Sequence, residues 1–374
     1  MFGKLLPPPF AGVEAHIDLL LRALQPEVQG TLLACSADAE GAVRSRALPY
    51  RTIVKRFYGR VASAPVAPGM MREVRRELAS GRSNLLHLHA PNPMGDVAGL
   101  LFGTQVPLVL SWHSDIVRQR ALRSLYAPIQ RRIIERADAV IVFTPKHYEQ
   151  STQLRRGGVE RKLHVVPMGF DTSRLAPDRA DPEMTQLLRR FSAGRPMVLT
   201  VGRHVYYKGY EFLLAAFAKA PAESVLVMIG AGPLTPRLKA QASAAGIEQR
   251  VWFAGEVDEG ALISAYHACD VFTLPSIEPS EAFGMASAEA MACGKPTVVC
   301  DLGNGVNFLN QAGRTSFMVP PRDVNALAEA LCTLLEQAAL RRAMGEEARR
   351  WVASHFSFEV MREGHLRIYN RFFA

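Results

Sequence analysis

Two carboxylates eight residues apart, Glu281 and Glu289, bracket the stretch of this chain best suited to chemistry. Between them runs Ala282-Phe283-Gly284-Met285-Ala286-Ser287-Ala288, and before them a Pro-rich loop, Pro275-Ser276-Ile277-Glu278-Pro279-Ser280. Ala, Met and Glu favour helix. The amides of Phe283, Gly284 and Met285 therefore fall near a first turn, where they have no intrahelical partner, and such a terminus attracts anions. Glu281 lies in the loop or at the helix entrance. Glu289, about two turns on, can reach hydroxyls rather than phosphate. Two carboxylates flanking an anion site suit a ligand that is both phosphate and polyol, as a nucleotide sugar is. A surface helix whose Glu merely complements the dipole would look the same, so neighbouring motifs must decide.

Those motifs sit where apolar runs end. Val201-Gly202-Arg203 leads through Tyr206-Tyr207-Lys208-Gly209, which places two cations at a strand's carboxyl end, the crevice where open α/β sheets bind ligands. Arg203 as a fork and Lys208 as a point charge could grip a diphosphate, although solvated Arg and Lys near turns are common. Ile229-Gly230-Ala231-Gly232-Pro233 is a second strand-to-loop turn. It lacks the third glycine and the acidic residue of a dinucleotide fingerprint, so Gly232 either meets the ligand or only turns the chain. The strand end before Glu256 and Val257 could present backbone to a base edge. Gly12, opening a helix after the first strand, could admit a phosphate or sugar. His113, in Ser111-Trp112-His113-Ser114-Asp115, also follows a strand. There is no Asp-x-Asp, no H-E-x-x-H and no Cys/His cluster along the sequence. No metal ligand and no cofactor are expected, and a leaving diphosphate would be neutralised by Arg203, Lys208 and the helix at Gly284.

The elements that must position these residues alternate regularly. Candidate strands at 2–6, 31–35, 85–88, 107–111, 139–143 and 163–166 are separated by helical patterns at 13–24, 70–79, 97–102 and 117–136. That alternation predicts a parallel sheet with helices on both faces. A Pro-, Asp- and Arg-rich stretch follows, and the alternation restarts at 197–201, continuing through 225–229, 251–253, 271–274, 297–300 and 316–319. The fold class is α/β, with two Rossmann-like doubly wound domains, 1–176 and 177–356. Helices are expected at 184–191, 323–336, 339–354 and 357–373, the last packing back on the first domain.

Bulk properties exclude several classes. The 374 residues are 48% hydrophobic and 21% charged, too apolar for a disordered chain. No apolar run reaches the length of a membrane span, and the five scattered cysteines read as reduced thiols in a cytoplasmic protein. The net charge of +9 is uneven: residues 1–176 hold 24 Lys and Arg against 14 Asp and Glu, +10, and the remainder 20 against 21, −1. With no helix-turn-helix, zinc finger or aromatic-basic signature, nucleic acid is the weaker partner. An anionic membrane surface suits the basic half, and in 117–136 Leu122, Leu125, Ile129 and Ile133 recur at helical spacing while Arg120, Arg123 and Arg131 project elsewhere. A helix packed on its own sheet with a solvated Arg face has the same pattern.

Taken together, the Glu281-x7-Glu289 pair followed by Ala-Met-Ala-Cys-Gly-Lys-Pro, Gly202-Arg203 with Lys208-Gly209, Gly230 to Leu234, Gly12-Val13-Glu14 and the His113 strand end resemble the retaining glycosyltransferases of the two-Rossmann (GT-B) type, family 4. Two positions depart from the family: Ala11-Gly12 replaces Gly-Gly, and Ala282 replaces Gly after the first Glu. The resemblance implies metal-independent transfer with retention from a nucleoside-diphosphate sugar. Arg203 and Lys208 would hold the diphosphate, Glu289 the ribose, Glu281 with the amides of Phe283 to Met285 the sugar, and His113 would sit beside the anomeric carbon. Residues 113–119 and 278–284 look like a bacterial branch that builds cell-surface polysaccharide, often from GDP-mannose or a GDP-deoxymannose. A lipid-linked saccharide acceptor and a peripheral position on the cytoplasmic face of the inner membrane follow from the same resemblance. A nucleotide-sugar 2-epimerase of similar shape, or a non-catalytic nucleotide-sugar binder, are the competing readings.

Overall fold

The computed structural model describes residues 1–5, 12–37, 48–61, 64–115 and 120–374, with side chains described except at 4, 12, 60, 61, 64 and 120–125. The chain forms two compact units, Met1–Phe170 with Phe358–Ala374, and Asp171–Ser357. The sequence reading put the division at 176/177. Leu175 is instead buried in the second unit's core with Met184, Leu188 and Tyr266.

In the first unit β1 (Phe2–Leu5), β2 (Thr31–Ser36), β3 (Arg51–Arg56), β6 (Leu86–Ala90), β7 (Leu108–Trp112), β8 (Ala139–Val142) and β9 (Leu163–Val165) form a parallel sheet in the order β3-β2-β1-β6-β7-β8-β9. A small antiparallel pair, β4 (Arg60–Val61) and β5 (Ala64–Pro65), lies apart. Every residue of β6, β7 and β8 is buried, as expected of parallel strands covered on both faces. Alternation divides them: Leu88, Leu110 and Val140 pack with Val74 and Ile133 on one face. Val109 and Ile141 pack with Leu20, Met361 and Ile368 on the other. The helix Phe358–Asn370 thus completes the first unit's second layer.

Two features depart from the sequence reading. β3 was not expected, because Arg51, Lys55 and Arg56 hide its Thr-Ile-Val centre; as an edge strand paired only to β2, it tolerates charged ends. The helix expected at 97–102 starts at Pro93, where Asn92 accepts from the Gly95 amide at 3.3 Å. Of the helix expected over 117–136, residues 117–119 lie outside the described residues and Arg120–Arg136 is helical. Ile133 and Ile134 are buried in the core, and Arg131 pairs with Glu135 at 2.7 Å. This part of the helix therefore packs on its own sheet. The side chains of Arg120, Leu122, Arg123 and Leu125 lie outside the description. Among the described residues no helix is long and apolar enough to cross a membrane.

The second unit carries β10 (Met197–Val201), β11 (Val225–Ile229), β12 (Val251–Gly255), β13 (Val271–Leu274), β14 (Thr297–Cys300) and β15 (Ser316–Val319), in the parallel order β12-β11-β10-β13-β14-β15. Its two layers are filled by Val198, Met228, Leu214 and Leu331 on one face, and by Leu199, Val227, Ile263 and Tyr266 on the other. In each sheet the strand order reverses once, between β1 and β6 and between β10 and β13. Those switch points are where a doubly wound sheet opens a crevice at its carboxyl ends.

Candidate active site

The switch point of the second unit collects most of the expected donor residues. β10 ends at Gly202, whose φ of 149° and lack of a Cβ leave room for the Lys208 ammonium, which would lie 3.1 Å from a Cβ there. Lys208 closes the short turn Tyr206–Lys208, and Gly209 follows at φ 65°. A Cβ on Gly209 would sit 2.2 Å from the Pro275 carbonyl, so only glycine lets this turn close on the loop after β13. The Ile277 amide donates to the Tyr207 carbonyl at 2.8 Å and fastens the same junction.

Lys208 Nζ consequently lies 2.6 Å from Glu281 Oε2, with both side chains largely buried, and Ser276 Oγ donates to the same oxygen at 3.0 Å. Arg203 is exposed, with no side-chain partner among the described residues. The helix Met285–Ala292 starts from Gly284 at φ 79° and has no side-chain cap. Among the described residues the amides of Phe283, Gly284 and Met285 donate to no protein acceptor. The Phe283 ring is buried against Phe356, 5.7 Å between centroids, and Asn304 Nδ2 donates to the Glu281 carbonyl at 2.7 Å. The loop is therefore held from below while its amides stay available to an anion.

Glu289 has company that the sequence reading missed. Arg174, in the turn Thr172–Leu175, pairs with it and also with Glu259 at 2.8 Å. Tyr266 donates its hydroxyl to Glu289 Oε2 at 2.6 Å, and burial, with Glu289 beside it, holds that phenol well above its ordinary range. Nothing in the Pro- and Asp-rich stretch around Arg174 signals this contact.

The remaining second-unit candidates lie after other strands. Gly232 follows β11. A Cβ there would meet the His204 carbonyl at 2.5 Å, and its amide donates to Thr235 Oγ1 at 3.0 Å, so its requirement for glycine is set by packing of the turn. Glu256 is exposed after β12 and Val257 packs against the core. Asp258 caps the helix Glu259–Ala268 by accepting from the Ala261 amide at 2.9 Å.

In the first unit, Gly12 opens the helix Gly12–Ala23, and residues 6–11 before it lie outside the described residues. His113 follows β7, where its amide donates to the Ala90 carbonyl at 2.9 Å. Asp115 is a staple: its carboxylate accepts from Trp112 Nε1 at 3.0 Å, from the Thr152 amide at 3.0 Å and from Ser151 Oγ. These contacts anchor the loop on both sides of His113.

Around His113 the fold gathers histidines that the sequence scatters. His89 Nδ1 is 3.0 Å from His113 Nε2. The His16 ring lies 5.3 Å from that of His113, and His87 stacks on His89 at 4.5 Å. His87 is held by Tyr369 at 2.6 Å and Ser111 at 2.8 Å, and His365 lies 5.9 Å from it. Burial pushes His16 down to about 3 and His365 to about 4, and holds His87 and His89 well below the usual histidine range. All four are therefore uncharged at neutral pH. The sequence shows no metal-ligand spacing, and none was expected. The fold nonetheless brings ligand atoms of His16, His89 and His113 within 4.8 Å of one another. The one local hint was His87-Leu-His89, two imidazoles on one face of a strand.

Known proteins match the chain along its length. Residues 10–174 match the family described as Glycosyltransferase Family 4, and 189–351 the one described as Glycosyl transferases group 1. The D-rhamnosyltransferase WbpZ of Pseudomonas aeruginosa is 34% identical over 275 residues, 73% of this chain and 69% of that protein. The O-antigen chain mannosyltransferase C of Escherichia coli is 27% identical over 320 residues, 86% of this chain and 83% of that protein. Among solved structures, Anabaena HepE in complex with UDP superposes with a TM-score of 0.78 at 20% identity, covering 99% of both chains. The doubly wound pair of sheets and these matches agree: the chain belongs to glycosyltransferase family 4 and is a glycosyltransferase of GT-B fold.

Proposed function

We propose that the chain is a retaining, metal-independent hexosyltransferase that moves mannose or a deoxymannose from a GDP-sugar onto a lipid-linked or polysaccharide acceptor in cell-surface glycan synthesis. One observation carries the reading: the Lys208–Glu281 pair, the exposed Arg203 and the amides at Gly284 all sit at the β10–β13 switch point. The activities named for the rhamnosyl- and mannosyltransferase relatives support the sugar class. The nucleoside diphosphate bound by the structural relative supports the donor class.

In this reading Arg203, Lys208 and the helix amides take the negative charge that grows on the leaving diphosphate. Lys208 has three N–H donors; one holds Glu281, leaving two for phosphate oxygens. Glu281 meets the sugar, and Glu289, oriented by Arg174 and Tyr266, accepts from ribose hydroxyls. His113 is assigned to the anomeric centre. The acceptor oxygen bonds to C1 on the face from which the C1–O bond to the diphosphate breaks, and the acceptor proton passes to a diphosphate oxygen. The basic first half supports a peripheral position at the cytoplasmic face of an anionic membrane, where a lipid-linked acceptor would lie.

The test is a panel of GDP-, UDP-, ADP- and dTDP-sugars scored by thermal shift, then by transfer to a lipid-diphosphate-linked saccharide with the product anomer read by NMR. GDP-sugars are expected to raise Tm most and the product to keep the donor's anomeric configuration. An inverted product, an epimer formed without acceptor, or no nucleotide-dependent shift would overturn the assignment.

A further inference from the structure

The first unit holds an arrangement that the donor reading does not use. His16 comes from the helix Gly12–Ala23, His89 from β6 and His113 from the end of β7. One nitrogen from each lies within 4.8 Å of the other two. His89 Nδ1 and His113 Nε2, 3.0 Å apart, are close enough to share either a proton or a cation. Two nitrogens bound to one tetrahedral ion at ~2.0–2.1 Å are about 3.3 Å apart.

His16 and His89 are each 1% exposed, and neither nitrogen of His16 nor Nε2 of His89 has a protein partner. Buried polar atoms are normally paired, so an unpaired imidazole aimed at two others wants a ligand. Phe143 closes one side, its ring 4.9 Å from His16 and 4.8 Å from His113. The donor set is all imidazole. Such a set suits zinc, cobalt, nickel and copper, and disfavours magnesium and calcium, which prefer oxygen.

We propose that His16, His89 and His113 bind one divalent transition-metal ion of the zinc type. Three protein ligands leave a fourth position for water or another small ligand. The ion would tie together the helix start at Gly12, β6 and the loop carrying His113. It would fix the position of the His113 ring, and no step of transfer is routed through it.

The experiment uses the full chain, without an affinity tag, stripped with chelator and titrated with Co²⁺. One equivalent is expected to bind with the visible absorption of a tetrahedral site, displaced by Zn²⁺ and unaffected by Mg²⁺. His16→Ala and His89→Ala should each weaken binding by at least about 100-fold, since even outer-shell partners of metal ligands are worth ~10–100-fold. His355→Ala, at an exposed histidine of the second unit, should leave binding unchanged. If either buried variant fails to fold, His113→Gln at the partly exposed strand end takes its place. Absence of the tetrahedral bands at saturating Co²⁺, or equal affinity in all variants, overturns the site and leaves a hydrogen-bonded imidazole cluster. Shifts in Tm induced by the free nucleoside diphosphate read the donor assignment independently of this result, because they test Arg203, Lys208 and the Gly284 amides of the second unit, while the three histidines belong to the first.

Discussion

Between β10 and β13 the functional groups are ions, Lys208, Glu281 and Arg203, paired or ready to pair. Beside β6 they are imidazoles stripped of charge by burial. The strand topology of the two crevices is alike, yet their electrostatics are opposed. A Lys–Glu pair presents charged groups to a charged ligand. A buried histidine cluster stays silent until protons are forced on it. Likeness of fold therefore says little about what a crevice does; the side chains on its rim decide.

Acid should expose this contrast with the largest effect. His16, His87, His89 and His365 have folded-state values below the unfolded histidine value of about 6.5. The unfolded chain thus binds more protons, and stability falls as pH drops below about 6.5 toward the folded values, about 3 for His16 and about 4 for His365. With four such groups in one unit, the loss of stability should be steep on the acid side. The first unit should melt first. Trp112 lies in it, while Trp252 and Trp351 lie in the second unit. Urea titrations at several pH values, with the latter two changed to Phe, will report on it alone. A first unit as acid-stable as the second would mean that the cluster is already charged or solvated.

At the charged crevice, Lys208→Ala removes a charge-assisted contact and leaves Glu281 buried without its cation. Activity should fall by more than the ~10–150-fold expected for a single charged contact, and the second unit should lose about 1–3 kcal/mol of stability. Arg203→Ala should cost the same ~10–150-fold in kcat/KM with unchanged stability, because Arg203 is exposed. If both variants keep normal activity, the switch point is not the donor site.

Smaller effects should separate the two glutamates. Glu281→Gln should chiefly lower kcat and leave nucleoside-diphosphate affinity nearly unchanged, since the proposed sugar contact would strengthen in the transition state. Glu289→Gln should weaken nucleotide binding by about tenfold, one hydrogen bond's worth, and free Arg174 from one of its two carboxylates. Calorimetry with the nucleoside diphosphate beside steady-state kinetics decides the matter; the reverse pattern would exchange the two roles.

The smallest expected effect is none at all. After transfer into chelator, activity should not rise on adding Mg²⁺ or Mn²⁺, because in the proposed site Arg203, Lys208 and the helix amides would supply the charge those ions bring. A strong restoration by either ion would show that the diphosphate needs an oxygen-seeking metal.

The sequence carried the second unit's strands almost to the residue. Runs such as Val225–Ile229 and Thr297–Cys300 are apolar and β-branched and end at Gly, Pro or Asp. The Lys208–Glu281 contact was half visible, since each residue stood at a strand end but their pairing depends on Gly209 meeting Pro275. Arg174 was invisible, because a lone arginine in a linker has no local pattern. The imidazole cluster was also hidden, as its members are drawn together from positions 16, 87, 89, 113 and 365. Local spacing cannot encode a meeting of residues that only the closed sheet creates.

The helix Phe358–Asn370 has one more consequence, which concerns the order in which the protein is made. It supplies Met361, Ile368 and Tyr369 to the core of the first unit, and Tyr369 is the partner of His87. The ribosome emits this segment after all of Asp171–Ser357. Domains commonly fold from the N-terminus as they emerge, but here the first unit waits for its final layer while Asp171–Ser357 is already whole. The first-born half of the chain should thus be the last to mature. Stalled nascent chains ending before 358 should show protease protection of the second unit and not of the first.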